Sequence, residues 1–450
     1  MKQELIKSIA LRVREEGGRA MLVGGCVRDE LLGAESTDID CEVYGLAPEK
    51  LRALAAEFGD VDESGAKYGI FTLKDAGIDL AVPRTEKRTG ARHGDFEVQP
   101  NPTLSFERAA VRRDFTINAI LCDVLTGEII DPFGGQEDLK NRILRAVPSE
   151  GFQEDALRVL RGAQFAARMN LTVDEATMDK MAHMPTDALS PARVMKETQK
   201  ALMESERPDI YFEILRKTGA LKSWFQEVEA LVGVKQNPVY HPEGDAYLHT
   251  MCVLRAAAAF KNRAQKPLNL MFAALTHDLG KAITTTRDEN GVYHAFNHEN
   301  AGVPLAGQML ERIGASKETK AYCENMCALH MRAHICFYHQ SRRGRTNLLF
   351  DESVCPHDLV LLAVSDSRGK GGRSLKSDEE EHFLLERLAF YEKTVSMPMP
   401  SGKMLLERGM KPEKRMADAL KEARRLVLCG AGLEDALSQA VKKFGRENGM

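Results

Sequence analysis

The sequence predicts an α+β protein: a small mixed sheet with helices at the N-terminus, followed by an all-helical remainder. Three observations carry this expectation. Short apolar runs bounded by glycine and proline, typical of strands, crowd the first 145 residues, whereas helical spacing of apolar residues dominates from residue 146 onward. At 450 residues the chain exceeds what one ordinary core holds. Its 43% hydrophobic and 28% charged content matches folded globular modules.

The run Met21–Leu22–Val23 reads as a buried strand, followed by Gly24–Gly25 and a helix from Cys26 to Leu32 that Gly33 ends. Glycines admit close backbone approach to a ligand, and helix-start N–H groups favour an anion. Arg28 adds a fork suited to phosphate oxygens. Asp38-Ile39-Asp40 opens the next strand, and side-chain alternation sets both carboxylates on one face. Adjacent like charges call for a hard divalent cation, and Mg²⁺ shared between carboxylates and substrate phosphates is the usual solution.

Residues 48–58 read as an amphipathic helix. Residues 61–73 and 78–82 read as a hairpin turned at Asp75-Ala76-Gly77, which puts Asp79 on its second strand. Residues 86–107 show no clear period and read as a mobile loop. The segment Arg112-Arg113-Asp114-Phe115-Thr116-Ile117-Asn118-Ala119 gathers two cations, a carboxylate and an amide, a set suited to a triphosphate and a ribose. A hairpin over 121–130 leads to Asp131-Pro132-Phe133-Gly134-Gly135. A strong helix then begins at Glu154-Asp155 and runs to about Arg168, with Leu157, Leu160 and Ala167 facing a core. Asp155 and Arg158, three apart, share another face. A carboxylate only accepts and a guanidinium only donates. Such an edge matches the amino donor and ring-nitrogen acceptor of cytosine and adenine, and opposes uracil and guanine.

Helices are expected over 191–203 and 209–219, and a linker over 233–244. Beyond it lie His249, His277-Asp278 with Gly280 as a stop, His298, the i,i+4 pair His330 and His334, and Asp366. Imidazoles and carboxylates drawn from separate helices make a metal site with positions open to water. Cys323 and Cys327 share helical spacing, but no second cysteine pair completes a zinc set. Helical segments over 405–409, 411–426 and 433–444 close the chain.

Together the diglycine bend, the Asp-x-Asp strand and the Arg-Arg-Asp segment resemble the class II tRNA nucleotidyltransferase and bacterial poly(A) polymerase family, a branch of the polymerase β-like superfamily. The resemblance implies that Gly24, Gly25, Arg28, Arg112, Arg113, Asp114 and Asn118 hold the nucleotide. It implies that Asp38 and Asp40 carry catalytic Mg²⁺, with Asp79 as a third acid. Glu154, Asp155 and Arg158 would form the base-selecting segment, Arg161 would also bind the nucleotide, and Arg193 would brace the nucleotide pocket. The full-length 86–107 segment leans toward an enzyme able to add adenosine. The later histidines resemble the HD phosphohydrolase superfamily, which implies that His249, His277, Asp278 and Asp366 hold one divalent metal and His298, His330 and His334 a second.

The implied organisation is a head over 1–145, a helical neck over 146–232, an HD module over 233–395 and a tail over 396–450. The implied activity is addition of the terminal CCA to a tRNA 3′ end from CTP and ATP. Poly(A) addition and A-only addition are the enzyme alternatives, and an inert RNA-binding scaffold is the alternative of another class. The net charge of −4 argues against a chain basic throughout, yet local stripes at 84–92, 108–113 and 342–345 suffice for RNA. No apolar run approaches the ~18 residues of a membrane span, the first 18 residues read as a charged helix and not a signal peptide, and nine scattered cysteines suit a reducing compartment. A cytoplasmic protein without DNA or membrane partners is the expectation.

Overall fold

The computed structural model describes residues 2–34, 38–88, 96–370, 375–412 and 414–445. The chain divides into two compact units, Met1–Ala201 with Glu213–Ala220, and Leu202–Phe212 with Leu221–Met450. The division falls inside the stretch expected to form the neck.

The first unit opens with helix α1 (Lys2–Glu15), strand β1 (Arg19–Val23), helix α2 (Gly25–Leu31), strand β2 (Ile39–Tyr44) and helix α3 (Pro48–Ala56). Strands β3 (Val61–Asp62), β4 (Ile70–Leu73) and β5 (Ile78–Ala81) come next. The 61–73 run is thus two strands, interrupted at the turn Ala66–Tyr68, where Gly69 adopts φ 71°. The unit continues through β6 (Arg84–Arg88), β7 (Phe96–Pro100), α4 (Phe106–Ala110), β8 (Leu121–Asp123), β9 (Ile129–Ile130) and α5 (Gly135–Lys140).

Strands β6 and β7 pair antiparallel. This corrects the loop expected over 86–107: its charged and turn-forming residues conceal strand periodicity in a two-stranded ribbon outside the main sheet. Residues 89–95 of that expectation lie outside the described residues.

Seven strands form one sheet in the order β3-β4-β5-β2-β1-β8-β9. Strand β5 runs parallel to β2, pairing Asp40 with Asp79, and antiparallel to β4, pairing Thr72 with Asp79. Alternation along β2 and β5 sends Cys41, Val43, Ile78 and Leu80 into a core with Ile6, Ile9 and Val13 of α1 and Leu51 and Leu54 of α3. Each such burial stabilises by about 1.5–3 kcal/mol. The opposite parity, Asp40, Glu42 and Asp79, is left to the other face.

Past β10 (Ile143–Leu144), residues 150–154 form a 3₁₀ turn and helix α6 spans Leu157–Met169. The helix therefore starts after Glu154 and Asp155 and not with them, because the Asp155 carboxylate takes the Leu157 N–H at 3.1 Å. Strand β11 (Thr172–Val173), α7 (Glu175–Ala182), α8 (Pro191–Glu204) and α9 (Pro208–Lys217) complete the stretch.

The second unit is helical: α10 (Ala220–Trp224), α11 (Gln226–Glu229), α12 (Ala246–Ala258), α13 (Pro267–Thr276), α14 (Lys281–Thr284), α15 (His298–Arg312), α16 (Lys317–Tyr338), α17 (Arg343–Glu352), α18 (Pro356–Gly369) and α19 (Leu375–Val395). A two-residue ribbon, β12 (Thr286–Arg287) with β13 (Tyr293–His294), lies between α14 and α15. Helix α13 is buried on every side from Asn269 to Thr276, matching its uninterrupted apolar run. Helices α20 (Gly402–Glu407), α21 (Lys414–Leu428) and α22 (Leu433–Phe444) share a small core of Leu405, Ala419, Ala423, Leu437 and Ala440. Among the described residues no helix is long and apolar enough to cross a membrane.

Candidate functional site

In the first unit, Gly24 ends β1 with φ 73° and ψ −129°, a conformation reserved for glycine, and so turns the chain into α2. A Cβ at Gly24 would lie 3.1 Å from Arg113 Nη1 and 3.7 Å from Asp40 Oδ2. The bend, the second arginine of the Arg-Arg-Asp segment and the second aspartate therefore meet at one place. Asp79 joins them through the β2–β5 register, and Thr72 Oγ1 donates to its carboxylate at 2.5 Å. The Asp40 side chain reaches solvent. Even so, partial removal from water and then repulsion from Asp79 push its pKa up, with Arg113 opposing and Asp38 adding to the repulsion. Asp38 is exposed just ahead of β2. An acid group whose ionisation is resisted by its acidic neighbours is a fitting host for a divalent cation.

Arg112 and Arg113 converge on Glu42, at 2.6 and 2.9 Å. Arg113 Nη1 also donates to the Asn118 carbonyl at 3.3 Å. The remaining residues expected to touch nucleotide hold one another. Arg28 is buried and donates to Asp29 at 2.7 Å and to Asn118 Oδ1 at 2.6 Å. Asn118 donates in turn to Asp114 at 2.9 Å, and Asp114 accepts from Arg161 at 2.7 Å and from the Phe115 N–H at 2.8 Å. Burial alone would raise the Asp114 carboxyl, but Arg161, Asn118 and the Phe115 N–H hold it below the ordinary value. Phe165 lies under both Arg28 and Arg161, at 5.3 and 5.1 Å. Arg28, Asp114, Asn118 and Arg161 thus form a buried network that fixes α2 to the Thr116–Asn118 turn and to α6. Arg28 also stands at the diglycine bend, its Nη2 3.6 Å from where a Cβ at Gly25 would lie.

Asp155 accepts from Arg193 at 3.3 Å, and Arg158 donates to the carbonyls of Gly151 at 2.9 Å and Arg112 at 2.7 Å. Asp155 precedes the helix and Arg158 lies in its first turn, so the two are not successive positions of one helix face.

In the second unit, His249 from α12, His277 at the end of α13 and Asp366 from α18 bring ligand atoms within 4.8 Å of one another, as do Asp278, His298 and His330. Asp278 lies between the sets: Oδ2 is 3.2 Å from His277 Nε2 and 3.4 Å from His249 Nε2, while Oδ1 is 3.1 Å from His298 Nε2. His249 Nε2, His277 Nε2 and Asp366 Oδ1 are buried. These three ligand atoms converge, with Asp366 Oδ1 3.1 Å from His249 Nε2 and 3.1 Å from Lys370 Nζ, and as a His-His-Asp set they fit a divalent metal. Backbone contacts seat them: a Cβ on Gly280 would lie 2.0 Å from the His298 carbonyl, so α14 meets α15 only through glycine.

His334, expected with His298 and His330, stands elsewhere. Its ring is held between Asp366 and Glu380, 2.7 Å from each, and against the cost of burial Glu380 and Asp366 raise its pKa to about 9. Asp278 takes its place in the second set. His241 and Glu243 escaped the sequence reading, which assigned 233–244 to a linker; Glu243 accepts from the Nδ1 atoms of His249 and His241 at 2.7 and 2.9 Å. The His-Pro-Glu spacing just ahead of His249 was the available signal. The Cys323 and Cys327 thiols join neither set. Cys327 donates to the His277 carbonyl at 3.3 Å, and burial raises both pKa values.

An acidic strand pair beneath a diglycine bend, on a small mixed sheet, defines a nucleotidyltransferase head. Residues 20–145 match the family model of the poly A polymerase head domain, and residues 170–231 match the "Probable RNA and SrmB- binding site of polymerase A". The Multifunctional CCA protein of Acinetobacter baumannii (strain SDF) is 42% identical over 320 residues, 70% of this chain and 74% of the relative. That of Pseudomonas aeruginosa (strain PAO1) is 36% identical over 422 residues, 90% and 96% of the two chains. The fold is that of the Thermotoga maritima CCA-adding enzyme solved in complex with tRNA, with a TM-score of 0.65, 18% identity and coverage of 98% and 95%. The chain belongs to the multifunctional CCA protein family of class II tRNA nucleotidyltransferases. Nucleotidyl transfer in this family depends on metal.

Proposed function

We propose that the protein adds the 3′-terminal CCA to tRNA from CTP and ATP, with Mg²⁺ at Asp38, Asp40 and Asp79, in a cytoplasmic setting. The observation that carries this reading is the in-register pair Asp40 and Asp79 facing the Gly24 bend and Arg113. When bound, the metal supplies Lewis-acid stabilisation of the attacking 3′ oxygen and the departing pyrophosphate.

The chain's own residues perform the rest. Gly24 and Gly25 leave room for phosphate oxygens to approach the backbone, and Arg113 offers cationic donors beside them. Asp155, held by Arg193, and Arg158, held by the Gly151 and Arg112 carbonyls, present acceptor and donors to the base. Cytosine and adenine satisfy that pattern; uracil and guanine leave polar groups unpaired. Incubation with tRNA ending in nothing, C or CC, with each nucleotide supplied in turn, tests the proposal. Addition that stops after C, C and A supports it, and a long A tail overturns it.

A second reading concerns the other unit, where we propose a metal-dependent phosphohydrolase. The convergence of His249, His277 and Asp366 ligand atoms favours it. Hydrolysis of phosphomonoesters or cyclic phosphates by the wild-type protein and its loss in His277→Ala would support it. Equal phosphatase activity in the two proteins sinks it.

A further inference from the structure

We propose that Glu42 is a positioning residue for nucleotidyl transfer, bracing Arg112 and Arg113 as one unit beside the incoming triphosphate. This rests on the reading that Arg113 faces the triphosphate.

Glu42 lies two residues beyond Asp40 on β2, so it shares the face of the catalytic acids, yet it is 2% exposed. A buried carboxylate is costly unless fully paired. Here the pairing is dense: Oε1 accepts from Arg112 at 2.6 Å and Arg113 at 2.9 Å, and Oε2 accepts from the Tyr44 hydroxyl at 2.9 Å. Burial works against the charge, but Arg113, Arg112 and Tyr44 keep the pKa of Glu42 below the ordinary value. Tyr44 is itself fixed by edge contact with Phe106 at 4.7 Å.

Two neighbouring guanidinium groups repel each other, and a single anion between them removes that cost. With its Nη2 on Glu42 and its Nη1 on the Asn118 carbonyl, Arg113 is held where Gly24 leaves space. The same brace extends to base selection, because the Arg112 carbonyl accepts from Arg158. Glu42 is thus the second acid of β2 but has the opposite duty. Asp38 and Asp40 collect cations from solution, and Glu42 collects them from the chain.

The test compares Glu42→Gln, Glu42→Asp and Arg113→Ala with the wild-type protein in steady-state nucleotide incorporation, with thermal melting to verify folding. Glu42→Gln should raise KM for CTP and ATP by about 10- to 100-fold, the scale of a lost charge-assisted hydrogen bond, with kcat and the KM for tRNA little changed. Glu42→Asp keeps the charge and should recover part of the loss. If Glu42→Gln does not fold, Glu42→Asp alone must still raise the nucleotide KM above wild type. A folded Glu42→Gln with wild-type nucleotide KM overturns the brace, provided Arg113→Ala raises that KM. If Arg113→Ala also leaves it unchanged, the triphosphate reading of Arg113 fails first and the brace falls with it. Loss of thermal stability with unchanged KM would mark Glu42 as structural only and overturn the proposal.

Discussion

Gly24→Ala probes the bend that joins the phosphate cradle to the acidic pair. Two penalties combine at this position. The backbone sits at φ 73° and ψ −129°, and holding an L-residue in such a region costs about 1–3 kcal/mol. In a unit of this size 1 kcal/mol corresponds to roughly 2–4 °C, so melting of the first unit should fall by ~2–12 °C. The new Cβ also meets Arg113 Nη1 at 3.1 Å, close enough that the guanidinium must yield by a few tenths of an ångström. That movement loosens its bonds to Glu42 and Asn118, so KM for CTP and ATP should rise as well. Gly33→Ala is the matched control: its φ is 72°, and a Cβ there meets nothing within 4 Å. Both variants should melt early, and only Gly24→Ala should bind nucleotide poorly. Equal nucleotide KM values in the two variants, by steady-state incorporation on tRNA ending in CC, would refute the cradle argument.

Asp40→Asn should lower incorporation by at least about 100-fold, by analogy with loss of a transition-state electrostatic contact. It should also raise the melting temperature of metal-free protein: the folded pKa of Asp40 is raised, so its ionised form costs stability as pH climbs through that value, and the gain should be larger at pH 8 than at pH 4. Asp114→Asn leaves Arg161 without its buried anion and should destabilise by about 3–5 kcal/mol in chemical denaturation. Because the folded pKa of Asp114 is depressed, its contribution is present above the ordinary aspartate value of about 3.9 and fades as pH falls through the folded value. Arg193→Ala removes one of the groups that hold Asp155, and discrimination of CTP over UTP should drop about tenfold in competition assays. His277→Ala should weaken Mn²⁺ or Ni²⁺ binding by at least about tenfold in calorimetry; unchanged affinity would separate His277 from the metal set.

The head was readable because its signals are local. Strand parity at Asp38-Ile39-Asp40, a glycine pair after an apolar run, and eight consecutive residues of the Arg-Arg-Asp segment all lie within short windows. Glu42 was within reach by the same parity, since the next residue on that face is two further along. Arg28, Asp114, Asn118 and Arg161 were located, but their mutual pairing depends on elements far apart in the chain, which no spacing rule reveals. The ribbon of β6 and β7 was lost because charged and turn-forming residues mask alternation in the sequence there. His334 shows the limit of helical spacing: it lies one turn from His330, yet Glu380, 46 residues on, decides its role. Likewise Glu243 read as linker because its importance arises only when α12 brings His249 against it.

The side-by-side alignment of β2 and β5 constrains how this sheet tolerates changes in length. Residues added in the 74–77 connection are absorbed by the turn and leave Asp79 opposite Asp40. A single residue removed within β5 reverses the facing of every later position in the strand, turning an acid inward and an aliphatic side chain toward the nucleotide. Two residues removed restore the parity. Insertions and deletions in this strand are therefore filtered by whether their count is odd or even, and a comparison of related chains should find the odd ones missing.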